Sequence, residues 1–211
     1  MRSLPYLSIF TIFLLTSCTP VKKSQLSACP KGSYTAPLWS SPFLKGYEKA
    51  LFHTTMDVKG NYLSGITIIK KTSDSSFHFT FANEIGITYF DLEIMKDNYH
   101  SVYIFEPMNK PAFLKIFFHD LKLLLFSDSG CGIPDKYIQK MSEKEVFSYP
   151  GVNLFVWIDR ESGKVSELVG WTNMFDAAHI EFERNQEAFP SLIKLSNSKI
   201  KLNLELSLLG R

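Results

Sequence analysis

The stretch that decides the fold is EPMNKPAFLKIFFHDLKLLLF, residues 106–126. Asn109 is a candidate N-cap, and Pro111 fits the first turn of a helix. Apolar residues then recur at helical spacing: Phe113, Leu114, Phe117, Leu121, Leu124 and Leu125, with Ile116, Phe118 and Leu123 widening the stripe. The pattern predicts an embedded helix over Asn109–Leu125, although its last residues are also compatible with the start of a strand.

On both sides of this helix the sequence alternates with period two, which is typical of strands with one buried face. Five runs precede it, over 47–58, 61–71, 75–84, 86–96 and 98–107, with a first turn at Lys59-Gly60-Asn61. The residues expected on the inner face of the last three runs are Phe77, Phe79, Phe81, Phe90, Leu92, Ile94, Val102 and Ile104.

Strand patterns return after the helix. A hairpin is predicted over 152–172, with its turn at Glu161-Ser162-Gly163, and further runs cover 177–185, 188–196 and 199–209. In the last run the predicted inner face is Ile200, Leu202, Leu204, Leu206 and Leu208. A short helix is expected near Tyr137–Glu145.

Taken together, these patterns predict a mainly β protein of the α+β class. A long antiparallel meander must cover its apolar face. We therefore expect a curled antiparallel sheet or half-open β-barrel of about ten strands, with the central helix covering the concave face. The 211 residues carry a formal net charge of +2, which gives no electrostatic case for binding nucleic acid.

The N-terminus, LPYLSIFTIFLLTSCTP over residues 4–20, is apolar until it meets a cysteine. This run is shorter than the ~20 residues that a membrane-spanning helix needs. Arg2 precedes it and small residues follow, which is the layout of a secretory signal peptide. The alternative is a short buried helix, but residues 19–42 are rich in Ser, Pro, Thr and Lys and give it little to pack against.

The four residues Leu15-Thr16-Ser17-Cys18 resemble the bacterial lipobox. That resemblance implies cleavage after Ser17 and lipidation of Cys18, with two or three acyl chains giving a firm membrane anchor. Thr19, rather than Asp, follows the cysteine, which favours the outer membrane. We expect the protein to face the periplasm, with the cell surface as the alternative. The expected organisation is a signal peptide over 1–17, a lipidated tether over 18–45 and one β domain over 46–211.

The lipobox and the strand–helix–strand order together resemble the LolA/LolB-like lipoproteins, whose fold is a half-open β-barrel covered by helices. The resemblance spans roughly Gly46 to Leu209. It implies a cavity between sheet and helix that accepts an acyl chain, either of a lipid or of another lipoprotein. The candidate lining residues are Ile66, Ile68, Phe79, Phe90, Leu92, Phe113, Phe117, Leu121, Trp157 and Trp171.

These ten residues are also compatible with an ordinary filled core, which is the commoner role of apolar residues on sheet and helix faces. The first hypothesis is therefore a lipid-anchored envelope protein that binds an apolar ligand without catalysis. The alternative is a structural or interaction lipoprotein with a filled core that docks an envelope assembly through its surface. Its protein partners are not predicted by the sequence.

Catalytic and metal-binding motifs are not found in the sequence. His53, His78, His100, His119 and His179 are dispersed without metal-ligand spacing, and no cofactor motif occurs. The pairs Asp176/His179 and His119/Asp120 are weak candidates for an envelope hydrolase, the least favoured class. Cys29 and Cys131 either form a disulfide in an oxidising compartment or stay unpaired, since pairing needs Cα atoms within about 7 Å.

Overall fold

A computed structural model describes residues 26–28, 41–44, 46–126, 135–139, 144–149, 153–173, 176–185 and 189–211. Cys18, Cys29 and Cys131 lie outside these residues, so the signal peptide, the lipidation and the disulfide stay predictions. No helix among the described residues is long and apolar enough to cross a membrane.

One antiparallel sheet and one α-helix make up the described fold, as the sequence predicts. The strands before the helix are β1 (Leu26–Ala28), β2 (Lys49–Val58), β3 (Asn61–Ser73), β4 (Ser76–Ala82), β5 (Thr88–Met95) and β6 (Tyr99–Ile104). A 3₁₀ turn over Glu106–Met108 leads into helix α1 (Pro111–Leu125). The strands after it are β7 (Asp135–Gln139), β8 (Lys144–Tyr149), β9 (Leu154–Asp159), β10 (Val165–Asn173), β11 (Asp176–Glu183), β12 (Leu192–Asn197) and β13 (Leu202–Gly210).

The sheet curls around the helix. Its 13 strands are ordered β1-β7-β8-β9-β10-β11-β12-β13-β2-β3-β4-β5-β6, so β5 and β10 lie seven steps apart. In a flat sheet that separation is roughly 33 Å, because neighbouring strands are about 4.8 Å apart. Yet Phe90 of β5 lies 5.2 Å from the Phe117 ring of α1, and Gly170 of β10 lies against Leu123 of the same helix. The sheet therefore wraps α1 as a half-open barrel, with β1 and β6 as the two ends of its strand order.

The predicted inner faces are largely confirmed. Phe77, Phe79 and Phe81 of β4 are fully buried, and so are the alternate residues of β5. In the last strand the residues from Leu202 to Leu206 alternate between buried and exposed. The alternation in the sequence therefore reflects the burial of one continuous apolar face, which the hydrophobic effect stabilises.

One local prediction about the helix, its N-cap, needs correction. The N-cap of α1 is Lys110 rather than Asn109, and no side chain caps the first turn. Asn109 instead ends the preceding 3₁₀ turn, where its backbone N–H donates to the carbonyl of Glu106. Pro111 does occupy the first helical turn, where its missing N–H costs nothing.

The short helix predicted near Tyr137–Glu145 is wrong. The described residues of this segment form strands β7 and β8, which pair with Tyr137 opposite Val146. The Lys, Glu and Met residues of this segment favour a helix only weakly, and tertiary pairing overrides that preference. The described strands accordingly number more than the ten that were expected.

Strand β6 departs from the predicted alternation at Val102, which is 60% exposed rather than buried. The pairing of β5 with β6 shifts between Asp91 and Leu92. This bulge places both Tyr99 and Ile104 against the core and turns Val102 outward. A β-bulge breaks period two by one residue, and single-sequence alternation does not reveal it.

Part of the expected tether over 18–45 belongs to the fold. Leu26–Ala28 forms β1 and pairs with β7. Ser41 is buried, and its hydroxyl donates a hydrogen bond of 2.7 Å to the carbonyl of Leu124, near the C-terminus of α1. Phe43 is fully buried in the main core. The chain therefore docks onto the barrel before residue 46, which the Ser- and Pro-rich composition concealed.

Candidate functional site

One end of the barrel is closed by aromatic side chains. The Phe43 ring contacts Tyr47 at 5.0 Å and Phe189 at 5.3 Å between centroids, and Phe77 contacts Phe126 at 5.2 Å. Tyr47 donates its hydroxyl proton to the carbonyl of Ile69 over 2.6 Å, and burial raises the pKa of this phenol. This aromatic floor seals the interior at the C-terminal end of α1.

The middle of the interior is packed. Phe113 and Phe117 stack with centroids 5.4 Å apart along the helix, and Phe90 lies 5.2 Å from Phe117. Phe79 meets Phe117 edge-on at 6.2 Å. Leu121 is fully buried one turn further along. These side chains fill the space that the sequence assigned to a ligand cavity.

The opposite end of the barrel is open and forms a cleft, hereafter the mouth cleft. It lies between the first turn of α1, the β2–β3 hairpin and the β12–β13 turn, and it encloses about 720 Å³, within the range typical of small-molecule sites. Its described lining is Val58, Lys59, Gly60, Asn61, Tyr62, Leu63, Phe105, Pro107, Met108, Lys110, Ala112, Phe113, Ile116, Lys199 and Ile200.

The hairpin that borders the mouth cleft is set by local sequence. Lys59 and Gly60 both have positive φ, at 54° and 83°, which fits a two-residue type I′ turn. The carboxylate of Asp57 accepts the N–H of Gly60 at 2.8 Å. The N–H of Lys59 donates to the carbonyl of Lys201 at 3.0 Å. This last bond ties the β2–β3 hairpin to the β12–β13 turn, so the rim is one connected structure.

The predicted lining residues divide into four groups. Phe113 borders the mouth cleft. Phe79, Phe90, Leu92, Phe117 and Leu121 are brought together in the packed core. Ile66 and Ile68 lie on the other face of β3 from the buried Thr67 and Ile69, and Ile68 is 37% exposed. Trp157 packs with Val146, Phe155 and Val169 in a second cluster on the opposite face of β9. The side chain of Trp171 lies outside the described residues.

Most of the mouth cleft was missed by sequence reasoning. Ile116 belongs to the predicted helix and Ile200 to the predicted last run, but the 3₁₀ turn that contains Met108 was not predicted. The Lys59-Gly60 turn was also recognised. What the sequence lacked was any sign of which helix end stays open. That depends on the docking of Ser41 and Phe43, which no local pattern records.

His119 and His179, one from each candidate catalytic pair, have different side-chain partners. Nδ1 of His119 lies 3.3 Å from Oδ1 of Asp120, but Asp120 is fully buried and accepts a hydrogen bond from Asn197 of β12. His179 pairs with Glu167 across β10 and β11, with Nε2 and Oε1 2.8 Å apart. Among the described residues, no three His, Cys, Asp or Glu side chains are placed to hold a metal ion.

The outer face of β7–β11 carries a network of ion pairs. Glu145 is 2.7 Å from Lys136 and 3.8 Å from Arg160, measured between carboxylate oxygen and nitrogen. Glu167 is 3.8 Å from Lys144. The hydrogen bond to Glu167 raises the pKa of His179, against the opposing effect of burial. These partly exposed ion pairs contribute little to stability individually.

Comparison with known proteins adds two weak structural likenesses. No family model and no curated protein matches the sequence. A DUF1329 family protein from Desulfovibrio piger matches with a TM-score of 0.28 and 5% identity, over 78% of this chain and 85% of that one. The "putative outer membrane lipoprotein-sorting protein domain" from Vibrio parahaemolyticus matches with a TM-score of 0.29 and 8% identity, over 78% and 85%. Likenesses at these scores carry no inference about function, which is derived from the geometry of the chain itself.

Proposed function

We propose that this protein binds the acyl chain of a lipid or lipoprotein in the mouth cleft, without catalysing a reaction. The observation that carries the proposal is an apolar cleft of about 720 Å³ at the open end of an otherwise packed barrel. Binding sites for small apolar molecules are commonly concave and largely apolar and lie in the mouths of barrels. The cleft ends at Phe113, where the stacked Phe113–Phe117 pair begins.

The proposal places the ligand differently from the sequence-based hypothesis. An acyl chain lies against Met108, Ala112, Ile116 and Ile200 instead of running along the whole helix. Each methylene removed from water contributes about 0.8 kcal/mol. Only the part of the chain that reaches into the mouth cleft gains this energy, which suits reversible binding.

We also propose that the protein is held at the outer membrane, facing the periplasm, through lipid attached to Cys18. The lipobox at residues 15–18 supports this proposal. Membrane fractionation of the full chain tests it. The Cys18→Ala variant is expected to leave the membrane fraction, and its retention at the wild-type level would show that another feature anchors the chain.

Site-specific photo-crosslinking in the expressing cell tests the binding proposal. A photoreactive benzoylphenylalanine replaces Ala112 in the cleft or, as the control, Lys96 in the exposed β5–β6 turn at the other end of the barrel. After irradiation, mass spectrometry of the full chain is expected to find lipid adducts at position 112 in large excess over position 96. Equal labelling at both positions, or no lipid at either, would refute the proposal.

A surface-docking lipoprotein is the second candidate function. The observation that favours it is strand β6, which ends the order of the described strands and exposes Val102 and Tyr103. Edge strands with exposed apolar residues are sites of pairing with other chains. If this function holds, the same crosslinker placed at Val102 would yield an adduct with one protein of constant mass and no lipid adduct.

A further inference from the structure

We infer that the mouth cleft selects an acyl amphiphile with an anionic head group, a carboxylate or a phosphate. This inference rests on the proposed function and names the ligand class of the same site. The described lining contains Lys59, Lys110 and Lys199 and no Asp or Glu. A cleft with an apolar interior and a cationic border is complementary to a molecule that has an acyl chain and a negative head.

The three lysines come from three different parts of the fold. Lys59 lies in the β2–β3 hairpin turn, Lys110 immediately precedes α1, and Lys199 lies in the turn before β13. Since the lysines are far apart in sequence, the topology rather than a local charge run brings them to one rim. Charges that surround a low-dielectric cleft act on its contents more strongly than the same charges dispersed in water.

Two acidic residues lie near the rim, but in the described structure neither forms an ion pair with Lys59 or Lys110. The carboxylate of Asp57 is oriented into its own turn, where it accepts the N–H of Gly60 at 2.8 Å. Glu106 is exposed in the 3₁₀ turn and is not among the described lining residues. The first turn of α1 carries no acidic residue, so the partial positive charge of the helix start has the same sign as the lysines.

Amphiphiles with one chain length and different heads test the inference. The full chain is held in a fluorinated surfactant, which does not mix with hydrocarbon, and is titrated with hexadecanoate, 1-hexadecanoyl lysophosphatidylglycerol and neutral 1-monohexadecanoylglycerol. Both anionic probes are expected to bind about tenfold more tightly than the neutral one, and added salt should reduce that ratio. If only one anionic probe shows the preference, the head group is identified as that carboxylate or that phosphate.

Paired lysine variants locate the effect. In Lys59→Gln/Lys110→Gln the tenfold preference for the anionic probes over the neutral one is expected to fall to about one. The control, Lys70→Gln/Lys96→Gln, removes the same charge from exposed positions outside the described lining and should keep the preference. Circular dichroism verifies that both variants fold.

The outcomes separate the two proposals. Equal affinity for anionic and neutral probes, or a preference that survives in Lys59→Gln/Lys110→Gln, overturns the head-group inference and leaves acyl binding intact. Failure of all three probes to bind the wild-type protein overturns the proposed function and this inference with it.

Discussion

The side-chain amide of Asn197 donates a hydrogen bond of 3.0 Å to Oδ2 of Asp120, and both residues are buried. The bond joins β12 to α1 across the interior of the barrel. A buried carboxylate is costly unless hydrogen bonds compensate for its lost hydration. This contact therefore holds the helix in register with the sheet that it covers.

Replacing Asn197 by Asp tests that role with a side chain of the same shape. It exchanges the donor for a second carboxylate beside Asp120, and we expect the free energy of unfolding at neutral pH to fall by about 3 kcal/mol. Protonation removes the repulsion between the two carboxylates, so the loss should be small at acid pH, where carboxyl groups are protonated, and should grow as the pH rises.

Urea denaturation at several pH values measures this loss. The control is Asn203→Asp, which adds the same charge at an exposed position of β13. Equal destabilisation by the two substitutions, or a loss at Asn197 that does not vary with pH, would contradict a buried carboxylate partner.

Gly65 is required by the close approach of β4. A Cβ atom at this position would lie 2.0 Å from the carbonyl oxygen of Ala82, and backbone cannot move aside as a flexible side chain can. We expect Gly65→Ala to lower the free energy of unfolding by more than about 1 kcal/mol. Gly210→Ala is the control, because nothing lies within 4 Å of its added Cβ. Thermal melts measure both variants. If the two variants melt at the same temperature, the close approach of β4 does not require glycine at position 65.

Phe43 tests whether the docked segment before residue 46 stabilises the barrel. Phe43→Ala should cost about 3–5 kcal/mol, the usual range for a fully buried phenylalanine. The neighbouring Leu44 is only half-buried, so Leu44→Ala should cost clearly less. Guanidinium denaturation monitored by circular dichroism provides both values. A cost at Phe43 no larger than at Leu44 would mean that residues 41–44 act as a tether after all.

His179 provides a pH-dependent check of the outer face. Glu167 and Glu181 face it with carboxylate oxygens 2.8 and 3.6 Å from Nε2, and Lys144 acts with the opposite sign. Because the pKa of His179 is raised, the stability that its pairing contributes is fully present below about pH 6.5. That contribution is lost as the pH rises through the raised value.

The imidazole proton shifts in an NMR titration report this pKa directly. Glu167→Gln should bring it down toward the ordinary value, since the hydrogen bond to Glu167 is the largest cause of the shift. Glu183 lies on the same strand as His179 but pairs with Lys194, so Glu183→Gln should leave the pKa of His179 unchanged. If Glu167→Gln leaves the pKa of His179 unchanged, the geometry of the His179–Glu167 pair is contradicted.

Sequence reasoning predicted the parts of this fold that depend on long, regular burial. The apolar stripe of α1 and the alternation in β4, β5 and β13 each record one continuous inner face, so period and face followed from the residues. The β6 bulge at Val102 and the β7–β8 pair depend instead on cross-strand contacts, which one sequence does not display.

Of the candidate lining residues whose side chains are described, Phe113 alone borders the mouth cleft. Ile66, Ile68 and Trp157 lie on the other face of the sheet. How tightly Phe90 and Phe117 pack depends on the volumes of the side chains around them. The alternation of apolar residues shows only which face of a strand each side chain is on.

The methyl NMR signal of Met108 tests the central claim most directly. Met108 lines the mouth cleft, whereas Met56 is fully buried in the packed core. With the full chain in a fluorinated surfactant and its methionine methyl groups labelled with carbon-13, titration with hexadecanoate is expected to shift Met108 saturably and leave Met56 in place. Ala112→Asp, which places a negative charge in the cleft lining, should weaken hexadecanoate binding and so reduce the shift. An unshifted Met108, or equal shifts at both methionines, would contradict acyl binding in the mouth cleft.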